Sequence, residues 1–117
     1  SSFGGGVGRM REICGALSGA FLAMGWLYGY EEPGDDGEKA AHYARVQELA
    51  AAFRERHGAI QCRELLNHPD TGATPTPRTE TFYRDRPCAK LVRDAAALLE
   101  RYMESYPREW GAKENKN

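Results

Sequence analysis

Three long stretches of the sequence repeat apolar residues every three or four positions, which is the spacing of one face of an α-helix. They cover about residues 9–28, 38–57 and 87–106. A short helical piece is also predicted near 61–66, and no stretch alternates apolar and polar residues as a half-buried strand does. The predicted fold class is therefore all-α: a small bundle of three long helices and one short helix.

The length of 117 residues predicts a single domain, 1–117, with a glycine-rich segment at 1–8 and a frayed tail at 111–117. Prolines without helical periodicity predict a long loop at 67–84. The 16 basic and 17 acidic residues leave a net charge of −1, so no nucleic-acid partner is expected. The most apolar run, Ala20 to Tyr30, is too short to span a bilayer, so no membrane insertion is expected either.

Cysteine usage bears on the compartment. The sequence has three cysteines, an odd number and too few for a secreted disulfide scaffold. Its first residues do not combine a basic region with an apolar one, as a secretory signal does. We therefore expect a cytoplasmic protein whose thiols are mostly reduced.

The three cysteines are the principal candidates for chemistry. Cys62 and Cys88 are predicted in the first turns of their helices, whereas Cys14 is predicted about a turn and a half into the first helix. A helix start stabilises a thiolate, the form that attacks disulfides and binds metals. If the three sulfurs meet in one electropositive pocket, two of them can close a reversible disulfide. The same thiolates are alternatively ligands for zinc or an iron–sulfur cluster.

Other features leave further interpretations open. Free cysteine is among the most buried residue types, so the three cysteines also fit a purely structural role. The sequence contains no CxxC pair and no CxxCH, so neither a thioredoxin-like dithiol nor covalent haem is expected. His57 and His68 flank Cys62 and are secondary candidates for metal ligands, although their spacing matches no strong zinc pattern. His42, on the second helix, is expected in solvent.

Small residues on the first helix suggest a contact surface. Gly15, Gly19 and Ala23 recur every four residues, which predicts a strip that another helix approaches closely. A second copy of the chain is one candidate for that partner. A non-catalytic helical interaction module with structural cysteines is therefore an alternative function.

Side-chain periodicity also predicts the buried face of the second long helix. The predicted buried face consists of Tyr43, Val46, Leu49, Ala50 and Phe53.

Ahead of the first helix, the glycine-rich segment predicts a tight turn. Because glycine has no side chain, the backbone of this turn is able to approach a cysteine site closely.

Several segments together carry a family resemblance. In chain order they include Gly4-Gly5-Gly6-Val7-Gly8-Arg9, Cys14-Gly15-Ala16-x-x-Gly19, Met24-Gly25-x-x-Tyr28-Gly29, Cys62-Arg63-Glu64-Leu65-Leu66, and Cys88 with Leu91-Val92. This order resembles the C_GCAxxG_C_C family of small proteins with four characteristic cysteines and a CGAxxG motif. The resemblance extends from Phe3 to about Leu99.

The resemblance implies a redox-active protein with a redox or transport-associated partner, since family members are often encoded near transporter genes. Cys14 corresponds to the motif cysteine, Cys62 to the third family cysteine and Cys88 to the fourth. The first family cysteine, on an earlier helix, has no counterpart in this sequence. We therefore expect an N-terminal segment to be missing and a four-thiol site to be incomplete in this chain.

Overall fold

A computed structural model describes residues 2–29, 34–67, 69, 71–75, 77, 79 and 86–107. Within them the chain forms four helices: α1 (Gly15–Tyr28), α2 (Asp36–His57), α3 (Cys62–Leu65) and α4 (Cys88–Ser105). The predicted all-α class is confirmed, and the described residues add only one isolated antiparallel bridge, between Ile13 and Gln61. The predicted tail lies outside the described residues, and the predicted loop is described only in part.

Helix α2 has strong local signals at both ends. The Asp35 side chain accepts a hydrogen bond from the Glu38 backbone N–H at 3.0 Å, which satisfies one of the unpaired donors of the first turn. Gly58 ends the helix with a left-handed φ of 86°. Basic residues occupy the last turn, where they face the negative end of the helix dipole. These signals explain why the predicted and observed ends of α2 agree within two residues.

The core lies where α1, α2 and α4 pack against one another. Leu17, Met24 and Phe53 are fully buried at its centre. Helix α4 contributes Leu91, Ala95 and Leu98, whose spacing of four and three residues places them on one face. Burying each large apolar side chain contributes roughly 1.5–3 kcal/mol. Packing among the three long helices therefore stabilises the bundle and fixes the positions of the helix ends.

The first helix begins later than predicted. Residues before Gly15 are not helical: Cys14 is the N-cap of α1, and Ile13 belongs to the bridge with Gln61. Ile13 is partly buried there, so its apolar side chain matched the helical period without being in a helix. The expectation that Cys14 lies a turn and a half inside the helix is therefore wrong.

The buried face of α2 differs by one position from the predicted face. Leu49 and Phe53 are buried as expected, but Tyr43 is 53% exposed. His42 takes the inward position instead, against α1, where its Nε2 lies 4.0 Å from the place a Cβ on Gly25 would occupy. Burial lowers the pKa of His42, and Arg45 lowers it further. The expectation of a solvated His42 is therefore wrong.

Within the described residues, neither Gly15 nor Gly19 of the small-residue strip on α1 packs against another helix. A Cβ on Gly15 would lie 2.7 Å from the carbonyl oxygen of Phe3, so Gly15 contacts the glycine-rich segment. A Cβ on Gly19 would meet nothing within 4 Å in the described part of the chain. Trp26 on the same helix is 84% exposed.

Of the described helices, none is both long and apolar enough to cross a membrane.

Candidate functional site

All three cysteines lie at helix starts and line one cavity. Cys14 is the N-cap of α1, Cys62 is the first residue of α3 and Cys88 is the first residue of α4. The cavity has a volume of about 550 Å³. The predicted positions of Cys62 and Cys88 in the first turns of their helices are confirmed. Because α1 begins later than predicted, Cys14 also lies at a helix start. The fold thus brings together sulfurs that are up to 74 residues apart in the sequence (88 − 14).

A short antiparallel pairing holds Cys14 and Cys62 on the same side of the backbone. The Cys14 N–H donates to the Ile60 carbonyl at 2.9 Å, and the Cys62 N–H donates to the Glu12 carbonyl at 2.6 Å. Directly opposed residues of such a pair face the same side, and successive residues alternate. Cys14, opposite Ile60, and Cys62, opposite Glu12, therefore share one side of the pairing.

The glycine-rich segment forms one wall of the cavity and turns tightly, as predicted. Gly5, Gly6 and Gly8 have φ values of 63°, 69° and 55°, and Val7 and Arg9 between and after them are also in the left-handed region. A Cβ on Gly6 would lie 2.6 Å from the Cβ of Cys62. Only glycine lets this backbone approach the cysteine so closely. Arg9, whose left-handed φ of 62° is unusual for a residue with a side chain, lines the same cavity as the thiols, and backbone strain often lies at functional sites.

Arg11 is the site residue that sequence reasoning missed. Its side chain is buried, with 3% of its surface exposed, and its Nη1 donates to the Cys62 sulfur at 3.6 Å. The Arg11 carbonyl accepts hydrogen bonds from the backbone and side-chain N–H groups of Arg63, each at 3.1 Å. Arg63 in turn forms an ion pair with Glu12. A buried guanidinium is costly to desolvate unless it has polar partners, so its position at the sulfur is specific.

A sequence signal for Arg11 did exist. Arg63 follows Cys62 directly and Arg86 precedes Cys88 by two residues, so each of these cysteines has a nearby arginine. Arg11 stands three residues before Cys14 and completes that pattern. Arg11 falls within the first helix as the sequence predicts it, about residues 9–28, whereas the helix in the structure begins only at Gly15.

The electrostatics of the cavity distinguish Cys14. Burial raises its pKa above the ordinary value of 9.0, and the backbone N–H groups of Leu17 and Ala16 at the start of α1 oppose that shift. The other two cysteines, Cys62 and Cys88, raise the pKa further through charge repulsion. Two cysteines that line the same cavity thus add to the effect of burial on the third. Cys14 is a neutral thiol at neutral pH.

The cysteines differ in access to solvent. Cys14 and Cys62 are 8% and 7% exposed, whereas Cys88 is exposed. A thiol must be reachable to react with a molecule in solution. Cys88 is thus the most accessible of the three thiols that line the cavity.

The remaining wall includes part of the predicted loop. Ala73 and Pro75 line the cavity, and Arg9 donates a hydrogen bond from its Nη1 to the Gly72 carbonyl. Leu65, Leu66 and Leu91 supply apolar surface. The described part of the loop therefore helps to enclose the thiols.

His57 does not join the cysteines. His57 lies at the end of α2, where its Nε2 is 3.2 Å from the Asp94 carboxylate and its ring is 4.7 Å from the Phe53 ring. It is absent from the residues that line the cavity. His68 lies outside the described residues. Among the side chains that the structure places, no three or more histidines, cysteines and carboxylates are grouped so that they could hold a metal ion.

Comparison with known families agrees with the motif order. A family model described as "Putative redox-active protein (C_GCAxxG_C_C)" matches residues 1–102 of the 117. The chain belongs to the C_GCAxxG_C_C family. No curated protein and no solved structure shows significant similarity to it.

In this member of the C_GCAxxG_C_C family, the residues of the CGAxxG motif have different structural positions. Its cysteine, Cys14, caps α1, and its first glycine, Gly15, lies under the carbonyl of Phe3. The small Ala16 adds to the cavity wall. The first half of the motif thus builds the thiol cavity, whereas the second glycine, Gly19, lies on the outside of α1.

Proposed function

We propose that this member of the C_GCAxxG_C_C family is a dithiol redox protein that transfers two electrons through a reversible disulfide. The observation that supports the proposal best is the convergence of three cysteines from three helix starts on one cavity, with the Arg11 guanidinium beside one sulfur. A purely structural role would not require the three cysteines to share a cavity with a buried cation. The proposal places the reaction in the cytoplasm, where thiols are kept reduced.

Exposure and charge assign different roles to the thiols. Cys88, the exposed thiol, attacks one sulfur of a disulfide substrate as a thiolate. The substrate S–S bond breaks, a mixed disulfide forms, and the departing thiolate takes up a proton. Cys62 then attacks the Cys88 sulfur, closes an internal disulfide and releases the second substrate thiol. Two protein thiols lose two electrons and two protons, and one substrate disulfide becomes two thiols.

Cys62 is the better second nucleophile of the two buried cysteines. The Arg11 guanidinium contacts its sulfur at 3.6 Å and stabilises negative charge that develops there during exchange. Cys14 has a raised pKa because of burial and stays protonated. A cellular reductant is needed to reopen the disulfide, and the redox or transport-associated partner expected from the family is a candidate for it.

The test is to equilibrate the native protein in mixtures of reduced and oxidised glutathione, trap free thiols with a maleimide, and count labels by mass spectrometry. We expect two labels to be lost together, reversibly, within one chain. Peptide mapping should identify Cys62 and Cys88 as the oxidised pair. Cys14→Ala is the matched control, because it removes a thiol of the same cavity and should still show the two-label loss.

Four results would contradict the proposal. All three thiols could stay reduced at every glutathione ratio, or the oxidised pair could join two chains rather than one. Stoichiometric zinc or iron in protein purified without oxidation would instead support the metal alternative. A triple variant, Cys14→Ala with Cys62→Ala and Cys88→Ala, that keeps full biological function would support the helical interaction module.

A further inference from the structure

Among the residues that the structure describes, the charged side chains that line the cavity are all arginines. Arg9, Arg11 and Arg86 line it, and no aspartate or glutamate is among the described lining residues. The chain as a whole has a net charge of −1, so this concentration of positive charge is local to the thiols. A low-dielectric cleft lined by one sign of charge raises the local concentration of ions of the opposite sign.

The positive charges are held in place by the fold. Arg9 donates to the Gly72 carbonyl and so ties the glycine-rich segment to the opposite wall. Arg11 is buried, with its Nη1 at the Cys62 sulfur. Arg86 is half-buried and lies two residues before the exposed Cys88. Cations therefore accompany both the outermost sulfur and the inner one.

The dimensions of the cavity favour a small molecule. Small-molecule sites typically have volumes of roughly 300–1,000 Å³, with apolar walls and a few polar groups that orient the ligand. This cavity, at about 550 Å³, has Leu65, Leu66 and Leu91 as apolar wall and three arginines as polar groups. The glycine-rich segment and the described loop residues form two of its walls.

We infer that the substrate is a low-molecular-weight disulfide that carries carboxylate groups, with the arginines binding the carboxylates and Cys88 reaching the sulfur. This inference rests on the proposed dithiol function, so the reaction is the same exchange. The substrate disulfide is reduced to two thiols that carry carboxylates, while Cys62 and Cys88 become a disulfide. Guanidinium groups bind carboxylates in a bidentate manner, so they fix the substrate as well as attract it.

The experiment compares three small disulfides that differ mainly in charge. Dithiodipropionate is anionic, 2-hydroxyethyl disulfide is neutral and cystamine is cationic. The rate at which each oxidises the reduced protein is divided by its rate with free 2-mercaptoethanol, which removes intrinsic differences in reactivity. We expect the corrected rate for the anion to exceed that for the neutral probe by about tenfold at low salt. Cystamine should be the slowest, and the preference should shrink as salt screens the arginines.

A charge variant near the exposed thiol makes the test specific. Arg86→Gln should lower the anion-to-neutral rate ratio by about fivefold, the size expected for one partly exposed ion pair. Arg101→Gln is the matched control, because Arg101 is an exposed arginine of α4 that does not line the cavity. It should leave the ratio unchanged. The salt dependence of the unaltered protein provides a second measurement that does not depend on folding of a variant.

The outcomes separate the two proposals. If all three probes oxidise the protein at equal corrected rates, the thiols are redox-active but the anionic substrate is wrong. If no probe oxidises the thiols, both the redox function and the substrate class fail.

Discussion

Arg11 places its guanidinium Nη1 3.6 Å from the Cys62 sulfur, although the two residues are 51 positions apart in the sequence. Arg11 itself has a left-handed φ of 61°, an unusual conformation for a residue with a side chain. Its carbonyl is held by Arg63, the residue after Cys62. The arginine and the cysteine are therefore fixed to each other through both backbone and side chain.

Removing that cation should impair the second step of the exchange. Arg11→Met should slow closure of the internal disulfide by roughly tenfold or more, since a hydrogen bond to a charged group contributes about 1.5–3 kcal/mol. The mixed disulfide on Cys88 should then accumulate, which quenching and mass spectrometry measure directly. Arg11→Lys keeps a positive charge and should partly restore closure. Equal closure rates in Arg11→Met, Arg11→Lys and the unaltered protein would show that Arg11 is only a packing residue.

Gly6 and Gly8, which both have a left-handed φ in the glycine-rich segment, form a matched pair for substitution. Alanine at either Gly6 or Gly8 must adopt a positive φ, which costs about 1–2 kcal/mol. Only Gly6→Ala also brings a Cβ to 2.6 Å from the Cys62 Cβ, whereas a Cβ on Gly8 meets nothing within 4 Å. We expect Gly6→Ala to reduce the free energy of unfolding by about 1–3 kcal/mol more than Gly8→Ala, as overpacking does. Urea unfolding measures both, and equal losses would mean that Gly6 does not contact the cysteine.

The two glycines of the CGAxxG motif should respond to alanine in opposite ways. Gly15→Ala would place a Cβ 2.7 Å from the Phe3 carbonyl oxygen and push the glycine-rich wall away from the thiols. Gly19 is exposed inside α1, so Gly19→Ala should stabilise the helix by up to about 1 kcal/mol. Thermal unfolding gives the sign of each change. Destabilisation by Gly19→Ala would indicate a close contact on that face of α1.

Alkaline pH should destabilise the protein through Cys14. Its pKa is raised in the folded state by burial, so the unfolded chain loses the Cys14 proton first as pH rises. Stability is therefore complete below pH 9.0, the ordinary value, and falls as pH rises from there through the folded-state pKa. The slope for one proton is at most about 1.4 kcal/mol per pH unit.

The contribution of Cys14 can be isolated by difference. Burial also raises the pKa of Tyr102, which adds a loss of the same sign at still higher pH. Cys14→Ala removes the thiol and keeps Tyr102, so urea unfolding of both proteins between pH 8 and 10 separates the two groups. If the variant and the unaltered protein lose stability in parallel, the Cys14 thiol is not the cause.

Much of the secondary structure could be predicted from local residues alone. Helix α2 has an N-cap at Asp35 and a left-handed stop at Gly58, and both act within a few residues. The first turns that contain Cys62 and Cys88 were likewise predicted correctly. These features depend on short-range hydrogen bonds, so a single sequence is enough to show them.

The positions that sequence reasoning misplaced all depend on long-range contacts. Ile13 fits a helical period, but its pairing with Gln61 holds it in an extended segment. His42 rather than Tyr43 faces inward, because periodicity alone leaves the orientation of α2 uncertain by one position. Gly19 belongs to the predicted strip of small residues, but in the described part of the chain a Cβ on Gly19 would meet nothing within 4 Å.

By itself, the sequence determined the all-α class, where most helices end and which side chains are the candidates for thiol chemistry. Only the tertiary structure decided that the three thiols share one cavity, that Arg11 lies against Cys62 and that Gly6 leaves room for the cysteine. The physical reason is the range of the interactions. Helix propensity and capping act over about four residues, whereas the cavity forms from segments dozens of residues apart that meet only when the core closes.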